Sequence, residues 1–365
     1  MAGAVAQDKL LDFGMTTLAK VPSNEWHNLL IGQSYIAETF LKDLKPRDMT
    51  GKHVLFNAII KGDAGDTGDV EDGGPGVYGP YEILPAGATE YQAQGQVPWS
   101  YYTGHWVLSA QEMALNKGRE AYIDLLKTKK EGIGVRMANS IETHFWSRSG
   151  YAHESANKPW LLGPEYWLTD DGYHINDVGG TVGTVVGGIS PTLAAYNDAA
   201  ARNRWRNQFV QVTNAAEMVD GFDELFVDCG FQAPPSADLN TAPQFKRFKI
   251  AVDKTTLKDM KALRRRLKDN PFDVDNSGEP VLNNVKISFA DAMLARADSK
   301  GQGFFFNLST WRAYVEGGNN FRKGPIITPD NQDAKLQRLF FWPALVCNDR
   351  RSNGKAFGWG RLVKA

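Results

Sequence analysis

Only two cysteines, Cys229 and Cys347, occur in 365 residues. They form no disulfide framework, which suits synthesis in a reducing, cytosolic compartment. No run of ~18 apolar residues is present, so no spanning helix is expected. The start, MAGAVAQDKLLDFGMTTLAK, lacks a basic segment followed by an apolar stretch and does not read as a signal peptide. Charge of one sign is also missing. Lys plus Arg number 41 against 42 Asp plus Glu, a net charge of −1, so no global field draws nucleic acid or an anionic membrane.

Catalytic vocabulary is equally thin. The six histidines (His27, His53, His105, His144, His153 and His174) include no pair at metal-ligand spacing on an expected helix. There is no nucleophile elbow, phosphate-binding loop or zinc-type cysteine pair. GGTVGTVVGG, residues 179–188, lacks both the spacing and the strand–helix context of a dinucleotide fingerprint. The calcium-like start Asp273-Val-Asp275-Asn-Ser277-Gly278 reaches Asn284 where a Glu is needed, between Pro271 and Pro280, and reads as a turn. Nothing in the sequence pairs Glu142, Asp170 or Asp171 with another carboxylate. No catalytic, cofactor-binding or metal-binding residue is therefore expected.

What is present is a folded protein of two or three domains, with 42% hydrophobic and 23% charged residues. Ten Trp, twelve Tyr and nineteen Phe offer large areas for cores or interfaces. No internal repeat is found. The front of the chain has three parts: a polar arm over 1–51, a Gly- and Tyr-rich excursion over 53–107, and a long amphipathic helix over 109–148. Loops beyond about 12–15 residues are usually functional or disordered. This one goes out through Val54, Leu55, Phe56, Ile59 and Ile60, and returns through Tyr91, Val97, Trp99, Tyr101, Tyr102, Trp106 and Val107. That is the content of a two-stranded arm, marginal by itself in water, so it is expected to lie on another subunit. Its tip, residues 62–80, carries Asp63, Asp66, Asp69, Glu71 and Asp72 among turn-forming glycines and reads as a solvated hairpin end rather than a metal loop.

The helix begins with a capping box, Ser109 and Glu112, stapled by Leu108 and Met113. Ile123, Leu126, Ile133, Met137, Ile141 and Phe145 recur on one face. Gly118 interrupts the pattern, and Gly132 and Gly134 weaken it. From Arg119 to Arg148 it would span roughly 45 Å, a spine rather than a catalytic platform. Residues 150–188 read as irregular. A second helix follows over 214–230, capped by Asn214 and stopped by Gly230. Then come a strand over 248–252 and a third helix over 255–269 before Pro271, together an α/β layer. Strands are expected over 285–289, 304–306, 325–328 and 339–347, and a turn around Asn353-Gly354.

The third helix is basic: Lys254, Lys258, Lys261, Arg264, Arg265, Arg266 and Lys268. A solvated face is the commonest fate of such a run. The alternatives are pairing with Asp220, Asp223 and Glu224 of a neighbouring subunit, or contact with phosphates.

This order of elements resembles the major capsid proteins of tailed bacteriophages. Gly187-Gly188-Ile189-Ser190 followed by Arg204-Trp205-Arg206-Asn207-Gln208 is similar to a GGI…WRNQ pattern of phage coat proteins. FFFNLSTWRAYVE and LQRLFFWPALVCNDRRSNGKAFG are similar to the family's late strands and final turn. The resemblance implies an α+β tailed-phage capsid fold. Its parts would be an N-terminal arm (1–52), an extended β-hairpin loop (53–108), a peripheral domain with a spine helix (109–175 and 300–349) and an α/β axial domain (176–299 and 350–365). It implies self-assembly through pentamers and hexamers into an icosahedral virion shell, built in the host cytoplasm around double-stranded DNA that is not read by sequence. Scaffolding, portal and cementing proteins are the implied partners, with no membrane and no cofactor. The absence of a charged helical extension before the arm argues against a fused scaffolding segment. A crosslinked loop would have to use Lys61, its one lysine. The expected assembly contacts are Lys61, Asp63, Asp66, Asp69, Trp99, Tyr101, Trp106, Arg264, Arg265 and Arg266. Two readings compete with a virion shell: a nanocompartment shell of the same fold, and a β-rich carbohydrate-active enzyme.

Overall fold

The computed structural model describes residues 44, 46–59, 92–115, 119–146, 160–170, 186–187, 189, 205, 207–212, 217–230, 248–266, 273–274, 280–282, 285–290, 292–293, 301–330 and 333–358. Among them, strand β1 (Arg47–Met49) precedes a ribbon of β2 (His53–Ile59) and β3 (Gln92–Pro98). β4 (Tyr102–Ser109) leads into α1 (Ala110–Leu115), α2 (Arg119–Phe145) and the single turn α3 (Pro164–Trp167). β5 (Gln208–Gln211), α4 (Met218–Asp228), β6 (Phe248–Val252), α5 (Lys254–Arg266), β7 (Asp273–Val274), β8 (Pro280–Leu282) and β9 (Val285–Phe289) follow. The rest is strand: β10 (Gln302–Asn307), β11 (Trp311–Glu316), β12 (Arg322–Ile327), β13 (Ala334–Phe341), β14 (Pro343–Cys347) and β15 (Gly354–Phe357).

The expected capping box forms. Ser109 N–H donates to Glu112 Oε2 at 3.1 Å, and Glu112 N–H donates to Ser109 Oγ at 3.2 Å. Lys129 closes the box from α2, its Nζ 2.5 Å from Glu112 Oε2. This hydrogen bond holds the Glu112 carboxyl below its ordinary range. The spine stripe is buried as its spacing predicts: Leu126, Ile133, Met137, Ile141 and Phe145 are at most 8% exposed. Ile123 lies outside the described side chains, and Gly118 outside the described residues. Gly104 of β4 permits the strand to press on the spine, because a Cβ there would sit 2.7 Å from Ile133 Cγ2.

The sheets separate the late strands. β12-β13-β4 is antiparallel and lies against α2. β1-β11-β14 forms a second three-stranded sheet, parallel between β1 and β11. The strand expected over 339–347 is therefore two strands in different sheets. They part at Trp342, and Pro343, which has no N–H to donate, opens the second. The seven-stranded sheet has the order β5-β15-β10-β6-β9-β8-β7. β10 was expected among the peripheral strands. It is instead near the middle of this sheet, antiparallel to both β6 and β15.

That placement follows from its sequence, which is apolar on both faces. Alternation sends Phe304 and Phe306 into one hydrophobic cluster with the spine, and Phe305 into a second cluster with α4 and α5. α4 packs on the sheet at Gly354, where a Cβ would lie 2.6 Å from Leu225 Cδ1. It stops at Gly230, whose φ of +69° is left-handed. The expected Asn214 cap lies outside the described residues. α5 is capped by Asp253, which the sequence reading passed over: Oδ2 accepts Thr255 N–H at 3.0 Å, and Oδ1 accepts the Thr256 hydroxyl and Gln302 N–H at 3.2 Å.

Two outcomes test this core. Ile133→Asp or Ile141→Asp puts an unpaired charge on the buried spine face, a cost of several kcal/mol. Neither variant should yield folded protein, and a wild-type melting curve from either would show that the face is not buried. Burial also raises both cysteine thiols above their ordinary range. A thiol reagent should therefore find neither Cys229 nor Cys347 in the native chain and both after unfolding.

Candidate assembly surface and its root

The ribbon β2–β3 pairs His53 with Pro98 through Ile59 with Gln92. Its side chains alternate. Val54, Phe56, Ala58 and Val97 are buried, while Leu55 is 48% exposed. The chain thus buries one face of the ribbon's base on its own first cluster, where the sequence alone suggested an arm needing a second subunit. Residues 60–91, with Lys61, Asp63, Asp66 and Asp69, lie outside the described residues.

The root of the ribbon gathers the motifs that carried the family resemblance. Phe56 packs edge-on against Trp167 at 5.8 Å and stacks on Trp205 at 6.1 Å. Gly95 and Gly187 make room for it, since a Cβ on Gly95 would sit 2.4 Å from the Phe56 ring and one on Gly187 2.8 Å. Gln96 N–H donates to Gly187 O at 2.8 Å, and Gly187 N–H donates to Tyr166 Oη at 2.9 Å. Asn207 of the second motif accepts Thr169 N–H at 3.0 Å and donates to Thr169 O at 3.0 Å.

Beneath the root lies a buried charged joint. Arg350, 0% exposed, donates Nε–H to Trp167 O at 2.7 Å, an Nη1 proton to Trp205 O at 2.7 Å and an Nη2 proton to Asn207 Oδ1 at 2.9 Å. Lys355 of β15, 1% exposed, sits 2.6 Å from Glu165 Oε2 and 2.8 Å from Asp170 Oδ1. Its ammonium lies 5.1 Å from the Phe304 ring centre. Asn353, read from sequence as a turn residue, is fully buried. Its Oδ1 accepts Asn307 N–H and Trp311 Nε1–H, both at 2.8 Å, and its amide donates to Asp349 O at 2.8 Å.

Of the expected contacts, Trp99 and Trp106 are buried in the chain's own core, 2% and 7% exposed. Trp99 is fixed by its indole N–H to Gly51 O at 2.8 Å, and Trp106 faces the spine on β4. Period-two alternation distinguishes two faces without saying which is inward. Tyr101 is 56% exposed, edge-on to Trp342 at 4.9 Å. Arg264, Arg265 and Arg266 lie on α5, with side chains outside the described set. Tyr101 also borders a groove of about 550 Å³ between β4 and α2. There His144 stacks on Trp160 at 4.2 Å, with Nδ1 3.2 Å from Tyr102 Oη. Burial raises the Tyr102 phenol above its ordinary range. Among the described residues no group of three or more His, Cys, Asp or Glu is placed to hold a metal. The buried carboxylates serve structure: Glu142 accepts Trp146 Nε1–H at 2.6 Å, and Glu165 and Asp170 hold Lys355.

A spine helix packed on an antiparallel sheet, joined through a shared strand to a helix-covered sheet, is the α+β fold of tailed-phage capsid proteins. Solved capsid chains share it. A chain of the cyanophage A-1(L) capsid asymmetric unit matches with TM-score 0.53 and 14% identity, over 87% of this chain and 91% of that one. A chain from the capsid of an empty GTA particle matches with TM-score 0.51 and 13% identity, over 88% and 97%. The holo-SrpI encapsulin complex of Synechococcus elongatus PCC 7942 offers a looser likeness, TM-score 0.45 with 11% identity over 88% of both chains. No protein-family model and no curated protein matches the sequence.

The joint makes its own prediction. Lys355→Met leaves Glu165 and Asp170 buried without their cation and should cost about 3–5 kcal/mol. Adding Glu165→Gln and Asp170→Asn to it should restore much of that loss in a denaturant titration. If Lys355→Met unfolds at the wild-type midpoint, the triad contributes nothing.

Proposed function

We propose that this chain is the major shell protein of a particle of the tailed-bacteriophage type, acting by assembly rather than catalysis. Copies would close into an icosahedral shell of pentamers and hexamers around double-stranded DNA, bound without regard to sequence. The observation that carries the reading is a fold shared over nearly the whole length of solved capsid chains. The surface is consistent with it. Leu55 stands on the outward face of the ribbon, and Ile326 and Ile327 are exposed on β12, an edge strand of its sheet. Exposed apolar edges are liabilities unless another chain covers them.

In this reading the virion is the protein's location and the host cytoplasm its place of assembly, with scaffolding, portal and cementing proteins as partners. The arm is 1–52, the extended loop 53–108, the peripheral domain 109–175 and 300–349, and the axial domain 176–299 and 350–365, with β10 transferred to the axial sheet. Lys61, Asp63, Asp66, Asp69, Tyr101, Arg264, Arg265 and Arg266 remain the proposed contacts.

Electron microscopy of the purified protein tests the reading. Closed particles are expected, and scattering from monomers to tetramers alone would overturn it. Particles enclosing an enzyme rather than DNA would mark a nanocompartment. Deleting residues 62–80 should leave the fold largely intact, as hairpin tips do, and lower particle yield. Reversing Arg264, Arg265 and Arg266 to Glu, or Asp63, Asp66 and Asp69 to Lys, should alter yield and its salt dependence. If neither charge reversal does, both clusters are solvated.

A further inference from the structure

β4 stands at the end of its three-stranded sheet, bonded to β13 on one side only among the described strands. The register tells which way its backbone groups point. Ser100 N–H donates to Pro343 O at 3.1 Å and Ala110 N–H to Asp333 O at 3.0 Å, both on the diagonal that pairs Tyr102 with Phe341. Residues of even number therefore bond β13, and those of odd number aim N–H and C=O at the open edge. The chain closes part of that edge itself. Lys129 Nζ donates to Val107 O at 2.8 Å, and Ser109 N–H is taken by Glu112. Among the described residues nothing bonds the backbone groups of Tyr101, Thr103 or His105, and all three residues are exposed.

The groove of about 550 Å³ opens beside this stretch, within the usual size range of ligand sites. Its floor is apolar: Ile133 and Met137 are 8% and 5% exposed and lie beneath Gly104. Its far wall is a flank of α2. Arg136 follows Lys129 by seven residues, about two turns along that flank. Lys129 is engaged by Val107 and Glu112. Arg136 is exposed, and among the described residues no carboxylate pairs with it. The described residues that line the groove include no Asp or Glu.

We propose that the groove takes an extended, acidic segment of another protein, which adds a fourth strand at the open edge of β4 and sets a carboxylate on Arg136. Backbone bonds to Tyr101, Thr103 and His105 give such a segment its register, and every second side chain of it faces α2. The unpaired guanidinium in a groove without acids selects negative charge. The chain's own acidic run, residues 62–74, consists mainly of Gly and Asp, which strands avoid, so the partner is a different polypeptide. The site needs only the folded chain and stands apart from the shell reading.

The test uses the full chain and two end-capped synthetic heptapeptides, one alternating Val with Glu and the other Val with Lys. The Glu peptide should bind the wild type and the Lys peptide should not. Methylating alternate backbone nitrogens of the Glu peptide should abolish binding in one frame and spare it in the other, since only one frame faces β4. Thr103→Pro removes an outward N–H that makes no bond to β13, a change edge strands tolerate. It should melt close to wild type and bind the Glu peptide roughly ten-fold more weakly. Arg136→Glu should reverse the preference between the peptides. No binding of the Glu peptide by wild type, equal loss in both methylation frames, or undiminished binding by Thr103→Pro overturns the proposal. Should Thr103→Pro fail to fold, the methylation frames test the same bond on the wild type. Self-association of the free chain that the Glu peptide blocks and Thr103→Pro removes would give the edge to a second copy, which also overturns it.

Discussion

One strand with two buried faces governs this molecule. β10 gives Phe304 and Phe306 to the cluster around the spine and Phe305 to the cluster under α4 and α5. Neither core is complete without it. A wall shared in this way must be apolar on both sides, yet the rung at Phe304 pairs it with Ala251 and Lys355. The Lys355 ammonium therefore enters the first core, and Glu165 and Asp170 from the segment around α3 must follow to neutralise it. Apolar replacements of such groups are often as stable, so stability alone does not explain them. What the triad supplies is direction: it allows the 160–170 segment one seat on the sheet. Arg350 and Asn353 act in the same manner on backbone groups of Trp167, Trp205 and Asp349.

That joint sets the angle at which the ribbon leaves. Phe56 rests on Trp167 and Trp205, and the same two residues offer their carbonyls to Arg350. The root is thus clamped by aromatic packing above and by a guanidinium below. In the proposed shell, where the ribbon would reach another chain, a stiff base would lower the entropy lost on association. The glycines at 95 and 187 belong to this arrangement through the space they leave, which no larger residue could share with Phe56.

Regular elements with one-sided patterns were legible in the sequence. The Ser109–Glu112 box, the spine stripe, the Gly230 stop and β9 all follow from local spacing. The fold class was legible too, from the order of elements and from motifs that converge at the root. What escaped depends on contacts distant in sequence. The run Gly303-Phe-Phe-Phe306 announces a buried strand without saying which sheet takes it. Trp99 and Trp106 announce aromatic area without saying whether a neighbour or the chain's own core receives it. Asn353 closes the expected turn, its N–H donating to Arg350 O at 3.0 Å, but its side chain is satisfied by Thr310, Trp311 and Asp349, none of which the local pattern identifies.

The charges of the chain therefore fall into two populations that its near-zero total conceals. Lys355 and Arg350 are buried and satisfied within one subunit, where counterions do not reach. Exposed charges, such as Arg338, lie at the surface, where salt screens over roughly 8 Å at physiological ionic strength. Exposed pairs are worth only about 0–1 kcal/mol each, but repetition over many copies multiplies a small term. In the proposed shell, ionic strength should then act on contacts between copies long before it acts on the fold. A subunit built this way would, in such a shell, keep its internal geometry constant while salt adjusts its affinity for neighbours.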